Sequence, residues 1–319
     1  MLTTGAAHLV TNFQAIVLGI LQGITELFPV SSLGHTVIFP NLFGWHNIVR
    51  WQSQPESPWL AFVVALHVGS AIGLLIYFWR TWIDVIRGFF VSLWRSTKQR
   101  RFVVENSTER LAWLIVLATI PVGILGLILE HPVRVALAKP LAASIFLIVN
   151  GCILLSAERL RRRADVRALA TREGTKRDGT SRRLDTMEYR EGFTIGAFQT
   201  LALIAGISRD GIVMTAGLLR GLDNEDAARF AFLLATPPIL AAGLLKFGDL
   251  TGKVHLNHGY ATAAQAHDLR VASLIALIVA AVVAVFTVHF LTRYFKRANL
   301  IPFGIYCVVF GLAMVIYNA

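Results

Sequence analysis

The amino-acid sequence predicts an all-α polytopic membrane protein with an inverted-topology repeat, each half one re-entrant helical hairpin plus three transmembrane helices. Three observations carry this. Hydrophobic residues make up 55% of the chain and charged ones 15%, with a mean hydropathy of +0.61, whereas soluble domains are roughly one-quarter charged. Apolar runs at 59–79, 111–129, 141–157, 228–247, 271–291 and 301–318 each approach the ~20 residues that cross a hydrocarbon core. Two more stretches, 14–44 and 192–220, are apolar at both ends but carry Pro or Gly, Ser and charged residues in the middle. Irregular backbone at membrane depth is tolerated only when buried in protein or lining a wet cavity, so both read as re-entrant hairpins.

The third observation is internal similarity. At an offset of 177 residues, AIVLGILQGITELFPVSSLGH from Ala15 lies over GFTIGAFQTLALIAGISRDGI from Gly192, matching Gly19 with Gly196, Gln22 with Gln199, Ser31 with Ser208 and Gly34 with Gly211. At an offset of 170, AFVVALHVGSAIGLL from Ala61 lies over AFLLATPPILAAGLL from Ala231. The chain therefore divides into a first repeat (1–157), a cytoplasmic basic loop (158–191) and a second repeat (192–319). Three spans per half is an odd number, so the halves have opposite topology and the two polar breaks face each other near the midplane.

Charge orients the chain. With both hairpins entering and leaving on one side, the loops 80–110, 158–191 and 292–300 hold 21 Lys and Arg, against five in the loops on the opposite face. The positive-inside bias makes the richer face cytoplasmic and puts both termini outside. A net charge of +11 does not imply nucleic acid, because the basic residues flank apolar runs and form no separate basic domain. The two cysteines, Cys152 and Cys307, lie within apolar runs and offer neither a disulfide framework nor a metal motif. No removable signal peptide is expected at the amino terminus.

Chemistry concentrates in the two breaks. Gln22 and Glu26 are spaced i, i+4 and share a helix face. Pro29 ends that helix, and Ser31, Ser32, Gly34 and His35 follow. A serine at a helix start is ordinarily an N-cap. A hydroxyl, an imidazole and an intramembrane carboxylate gathered together are also the ingredients of an activated nucleophile. The second break, Gly206-Ile207-Ser208-Arg209-Asp210-Gly211, supplies an arginine fork suited to phosphate oxygens, with glycines and helix-start N–H groups that add anion affinity. Arg209 could instead serve only to neutralise Glu26 or Asp210. His67 and His289, inside apolar spans, read as core residues, Pro237 and Pro238 as a kink, and Trp59, Trp79 and Trp82 as an interfacial belt.

QGITELFPVSSLGH and ALIAGISRDG, with EYREGFTIGAFQ and IPFGIY, resemble the undecaprenyl-diphosphate phosphatase family, the bacitracin-resistance membrane proteins, in the same order over nearly the whole chain. The resemblance implies hydrolysis of undecaprenyl diphosphate to the monophosphate that carries cell-envelope building blocks. It implies Ser32 as nucleophile, His35 as acid/base, Arg209 as phosphate ligand, and Glu26 with Gln22 as holders of a divalent cation, Mg²⁺ or Ca²⁺. Ser31, Gly34, Gly206, Ser208, Asp210 and Gly211 would complete the substrate site. The second motif departs from the family's PGxSRSxxT at Ala205, Asp210 and Val213. An isoprenyl diphosphate lipid and the bilayer are the expected partners, and a homodimer is left open. A transporter or flippase for a phosphorylated lipid, with Asp210 as a coupling-proton site, is the competing class, and a non-hydrolysing lipid-binding paralogue is a third.

Overall fold

The computed structural model describes residues 9–52, 59–137, 139–170, 183–251, 255–256 and 259–318. Among these described residues twelve α-helices follow in order: α1 (Asn12–Thr25), α2 (Ser32–Leu42), α3 (His46–Gln52), α4 (Trp59–Tyr77), α5 (Trp79–Gln99), α6 (Ser107–Leu137), α7 (Pro140–Ala170), α8 (Tyr189–Phe198), α9 (Arg209–Leu219), α10 (Asn224–Thr251), α11 (Ala263–Tyr294) and α12 (Ile301–Asn318). The strands among the described residues are one short antiparallel pair, β1 (His255–Leu256) with β2 (Gly259–Tyr260). Helices α4, α6, α7, α10, α11 and α12 each contain a stretch long and apolar enough to cross a membrane. They coincide with the six apolar runs, and α6, α7, α10 and α11 extend past theirs as further turns continue the helix beyond the apolar residues.

The two interrupted stretches are broken helices. Helices α1 and α2 have 14 and 11 residues, roughly 21 and 16 Å at the α-helical rise, so neither alone crosses a ~30 Å hydrocarbon core. A capping box between Thr11 and Gln14 starts α1, and another between Glu188 and Glu191 starts α8. Helix α8 gives way to a 3₁₀ segment, Gln199–Leu203, before α9 begins at Arg209. The first helix of each pair leans on a long helix from the other half of the chain: α1 on α11 and α8 on α6. These contacts are close because they use glycine. A Cβ on Gly23 would lie 2.7 Å from that of Val283, and one on Gly196 would lie 2.1 Å from the Ala118 carbonyl. Around them α4 packs on α10 and α11, and α7 on α12.

Some of the chain differs from expectation. The stretch after Tyr77, counted as a basic loop, folds as α5. Its charges interleave with Ile83, Ile86, Phe90 and Trp94, all exposed along one side, while Val85 and Ser92 are buried. No uninterrupted apolar run marks such an amphipathic helix, and Arg100 ends it in the left-handed conformation. The basic loop expected over 158–191 is shorter, since α7 runs to Ala170 and α8 starts at Tyr189; residues 171–182 lie outside the described residues. Trp59 is buried against Phe62 instead of joining an interfacial belt, whereas Trp79 is exposed beneath Arg80. His289 is exposed beside Tyr77, not in the core.

The breaks meet at Gly34 of α2 and Gly206 before α9. A Cβ on Gly34 would come within 2.9 Å of the Gly206 Cα, and Gly206 itself has φ +105° with its Cβ direction blocked by the Ala143 carbonyl. Gly34→Ala should therefore lower stability by about 1–3 kcal/mol through forced separation of the two turns. Gly123→Ala, where nothing lies within 4 Å, should leave the thermal midpoint in detergent unchanged or raised.

Candidate active site

The first turn is built around a strained serine. Helix α1 ends as the Glu26 N–H donates to the Gln22 carbonyl (2.9 Å), and Pro29 prevents its continuation. Ser31 then takes φ 70°, a conformation that costs a non-glycine residue on the order of 1 kcal/mol or more. Its surroundings compensate. The Ser31 Oγ accepts from the Gly34 N–H (3.2 Å) and, across the break, from the Gly206 N–H (3.1 Å). The Ser31 carbonyl accepts from the His35 N–H (3.2 Å) and from His35 Nδ1 (2.7 Å). The kink sets Ser32 as the first residue of α2, where the helix dipole favours developing negative charge.

Glu26 is the hub of the site. Its Oε1 accepts from the Arg209 guanidinium, carried by the opposite break, and its Oε2 accepts from the Ser32 hydroxyl and from Gln22 Nε2 (2.9 Å). His67, on α4, completes the group. Its Nε2 stands 3.4 Å from Ser32 Oγ and 3.3 Å from Glu26 Oε2. Its Nδ1 faces the Val63 carbonyl at 2.8 Å. A carbonyl only accepts, so Nδ1 donates to it, and Nε2 is the ring nitrogen turned toward Ser32 and Glu26. Arg209 is spread over two acceptors, Glu26 and the Ala235 carbonyl (NH1, 3.4 Å), while its Nε, 4.0 Å from Asp210, makes no hydrogen bond.

The structure thus brings together Ser32, Glu26, Gln22 and Arg209 as the sequence anticipated, but not His35. That imidazole is fully buried, donates from Nδ1 to the Ser31 carbonyl, faces the Tyr306 hydroxyl through Nε2 at 2.8 Å, and stacks on Phe310. Its contacts are with the Ser31 carbonyl and with Tyr306 and Phe310 of α12, so it supports the Ser31 turn, and the ring beside Ser32 is that of His67. The core reading of His67 is corrected accordingly. Asp210 is 1% exposed, with no hydrogen-bond partner for either oxygen, and it does not line the cavity described below. The Gly206 and Gly211 N–H groups, expected as anion donors, are engaged by Ser31 and by Ser208 (3.1 Å). Ser208 is the N-cap of α9.

Gln22 and Glu26 fit a resident divalent cation poorly. Every Glu26 oxygen already faces a donor, one of them the permanent cation Arg209. Gln22 Oε1 is sealed without a partner. Among the described residues no three His, Cys, Asp or Glu side chains gather as a metal group, whereas Mg²⁺ and Ca²⁺ require six or more oxygen ligands.

Ser31, Ser32, Glu26, His67, Ser208 and Arg209 stand at one part of a cavity of about 1120 Å³. The rest of its wall is mostly apolar, from α4, α5, α6, α10 and the 3₁₀ segment, and includes Phe89, Phe90, Ile120, Leu127 and Leu245, with Thr119, Gln199 and Lys246 as further polar members. Pro237 and Pro238, expected only to kink a span, line it within α10. A charged, hydroxyl-bearing head joined to a long greasy chamber suits an amphiphile with a phosphorylated end and a hydrocarbon tail.

Fold and site define a multi-pass membrane protein with a serine, a carboxylate, an imidazole and an arginine gathered between two broken helices. The chain belongs to the bacitracin resistance protein BacA family, which it matches over residues 15–313. It is 48% identical to an undecaprenyl-diphosphatase of Mycolicibacterium paratuberculosis, with 98% of this chain and 99% of the relative covered. It is 46% identical to undecaprenyl-diphosphatase 2 of Frankia alni (95% and 97% covered) and 41% identical to an undecaprenyl-diphosphatase of Acidiphilium cryptum (94% and 96%).

Removing the Ser31 hydroxyl leaves two buried N–H groups without an acceptor, at about 1–3 kcal/mol each. Ser31→Ala should therefore lower the thermal midpoint in detergent.

Proposed function

We propose that this chain is an integral membrane phosphatase that hydrolyses undecaprenyl diphosphate to undecaprenyl phosphate and inorganic phosphate, with Ser32 as nucleophile. Membership of the BacA family supports the reaction. The observation that carries the site is the contact of Glu26 with both Arg209 and Ser32, at the polar end of an apolar cavity. The terminal phosphate takes the Arg209 guanidinium away from Glu26, a bidentate exchange that an arginine fork favours. Glu26, relieved of its cation, and His67 then draw the proton from the Ser32 hydroxyl. Oγ bonds to the terminal phosphorus as the bond from that phosphorus to the bridging oxygen breaks, and the electron pair leaves with undecaprenyl monophosphate. Water then attacks the phosphoserine, releases inorganic phosphate and restores the hydroxyl. Arg209 and the start of α2 stabilise the charge that develops, the main source of rate in phosphoryl transfer.

Gln22 and Glu26 do not suit a resident divalent cation; one required by the reaction would be held by phosphate oxygens of the substrate and by water. Its contribution is to neutralise substrate charge. Both termini lie outside in this reading, supported by the excess of Lys and Arg in the loops assigned to the cytoplasm. The two halves form an inverted repeat, supported by the exchange of α1 onto α11 and α8 onto α6. The transporter reading loses its proton site, since Asp210 does not face the cavity.

Phosphate release by purified protein in detergent tests the assignment. Ser32→Ala should abolish release, and Arg209→Ala should reduce kcat by about 10²–10³-fold, the usual loss of a charge-stabilising donor. His67→Gln, which keeps the side chain's reach but not its basicity, should lower kcat more than KM. Unchanged release by Ser32→Ala would remove the nucleophile assignment. Chelation should lower release, and Gln22→Ala should leave the magnesium dependence as in the unaltered protein; a marked shift in that dependence would return the cation to Gln22.

A further inference from the structure

The two turns that carry Ser32 and Arg209 belong to chain segments far apart in sequence, and each exposes backbone groups that its own helix cannot satisfy. Pro29 lies past the end of α1, so its carbonyl has no intrahelical donor. Ser208 lies before the start of α9, so its N–H has no intrahelical acceptor. In an apolar surrounding each orphan costs about 1–3 kcal/mol. One side chain satisfies both. Asn150, in the middle of α7 and with no solvent exposure, donates from Nδ2 to the Pro29 carbonyl (3.0 Å) and accepts at Oδ1 from the Ser208 N–H (3.0 Å).

We infer that Asn150 is a positioning residue for the phosphatase reaction: its single amide sets the spacing between the turn bearing Ser32 and the turn bearing Arg209. The inference rests on the reading of Ser32 as nucleophile and Arg209 as phosphate ligand. Pro29 is three residues before Ser32, and Ser208 is adjacent to Arg209. A shift of either turn therefore moves a reacting group directly. An amide is suited to this place because it alone among short side chains offers a fixed donor beside a fixed acceptor without charge. Helix α7 packs against α2, α9 and α12 at once, so it is a rigid post on which both turns are hung. Sub-ångström to ångström misplacement of reacting groups typically costs up to 10²-fold in rate.

The test is a pair of variants, Asn150→Leu and Asn150→Asp, compared with the unaltered protein and with Ser32→Ala for release of phosphate from undecaprenyl diphosphate. Asn150→Leu, close in size, keeps the packing but neither hydrogen bond, and should lower kcat by at least about ten-fold with KM little changed. Asn150→Asp keeps the acceptor for Ser208 but, when ionised, sets a carboxylate against the Pro29 carbonyl. Its protonated form regains donor and acceptor, so its activity relative to the unaltered protein should recover as pH falls, while that of Asn150→Leu stays flat. The titratable groups on the helices around it, Tyr306 and Cys307 on α12, Arg209 and Asp210 on α9 and His35 on α2, are common to all variants and cancel in that ratio. A purely structural role would lower the thermal midpoint of both variants without this acid recovery. Full kcat in Asn150→Leu, or a flat ratio for Asn150→Asp, overturns the inference while leaving the nucleophile assignment to stand or fall with Ser32→Ala.

Discussion

The structure turns on one buried ion pair. Glu26, at the end of the first broken helix, and Arg209, at the start of the second, neutralise each other between elements 183 residues apart in sequence. A charge removed from water without a partner costs several kcal/mol even after relaxation, so neither turn can sit at this depth without the other. The pair therefore couples fold and chemistry. The contact that lets two polar breaks lie inside an apolar protein is the one that a substrate phosphate would take over in the proposed reaction.

The ion pair would not suffice by itself, because broken helices also expose backbone groups. Ser31 takes up the N–H groups of Gly34 and Gly206, Asn150 bridges Pro29 and Ser208, and Ser208 caps α9 through Gly211. The serines most easily read as parts of a substrate grip thus divide their labour. Ser31 and Ser208 hold backbone, leaving Ser32 as the hydroxyl directed at Glu26 and His67. The same logic separates two histidines. His35 steadies the Ser31 carbonyl from behind, whereas His67 reaches the cavity from a different helix.

The apolar cavity gives this polar cluster its setting. Its walls come from four helices in both halves of the chain, and its polar groups are confined to the two turns and His67, with few exceptions. Low dielectric around the cluster strengthens the attraction between Arg209 and Glu26, the anion that holds it.

The spans were legible because a bilayer imposes a length on apolar runs, and the breaks because Pro29, Gly206 and the charged residues beside them cannot lie in lipid unprotected. Glu26 and Arg209 stood out in the sequence for the same reason, whereas Ser32 was distinguished from Ser31 only by the family resemblance. Helix α5 was not legible, since amphipathic residues in an interface leave no continuous apolar signal. Nor could a linear pattern assign the imidazole: His35 is three residues from Ser32, but its ring is taken up by Tyr306 and Phe310 of α12, while His67, 35 residues away, arrives through packing of α4. The sequence by itself determined which segments are apolar, where they must break and which side chains are too costly to be there by accident. Tertiary structure alone decided their partners, because hydrogen bonds and ion pairs are made by proximity in space, and proximity between α4, α7 and the two turns is set by helix packing that no local stretch of residues encodes.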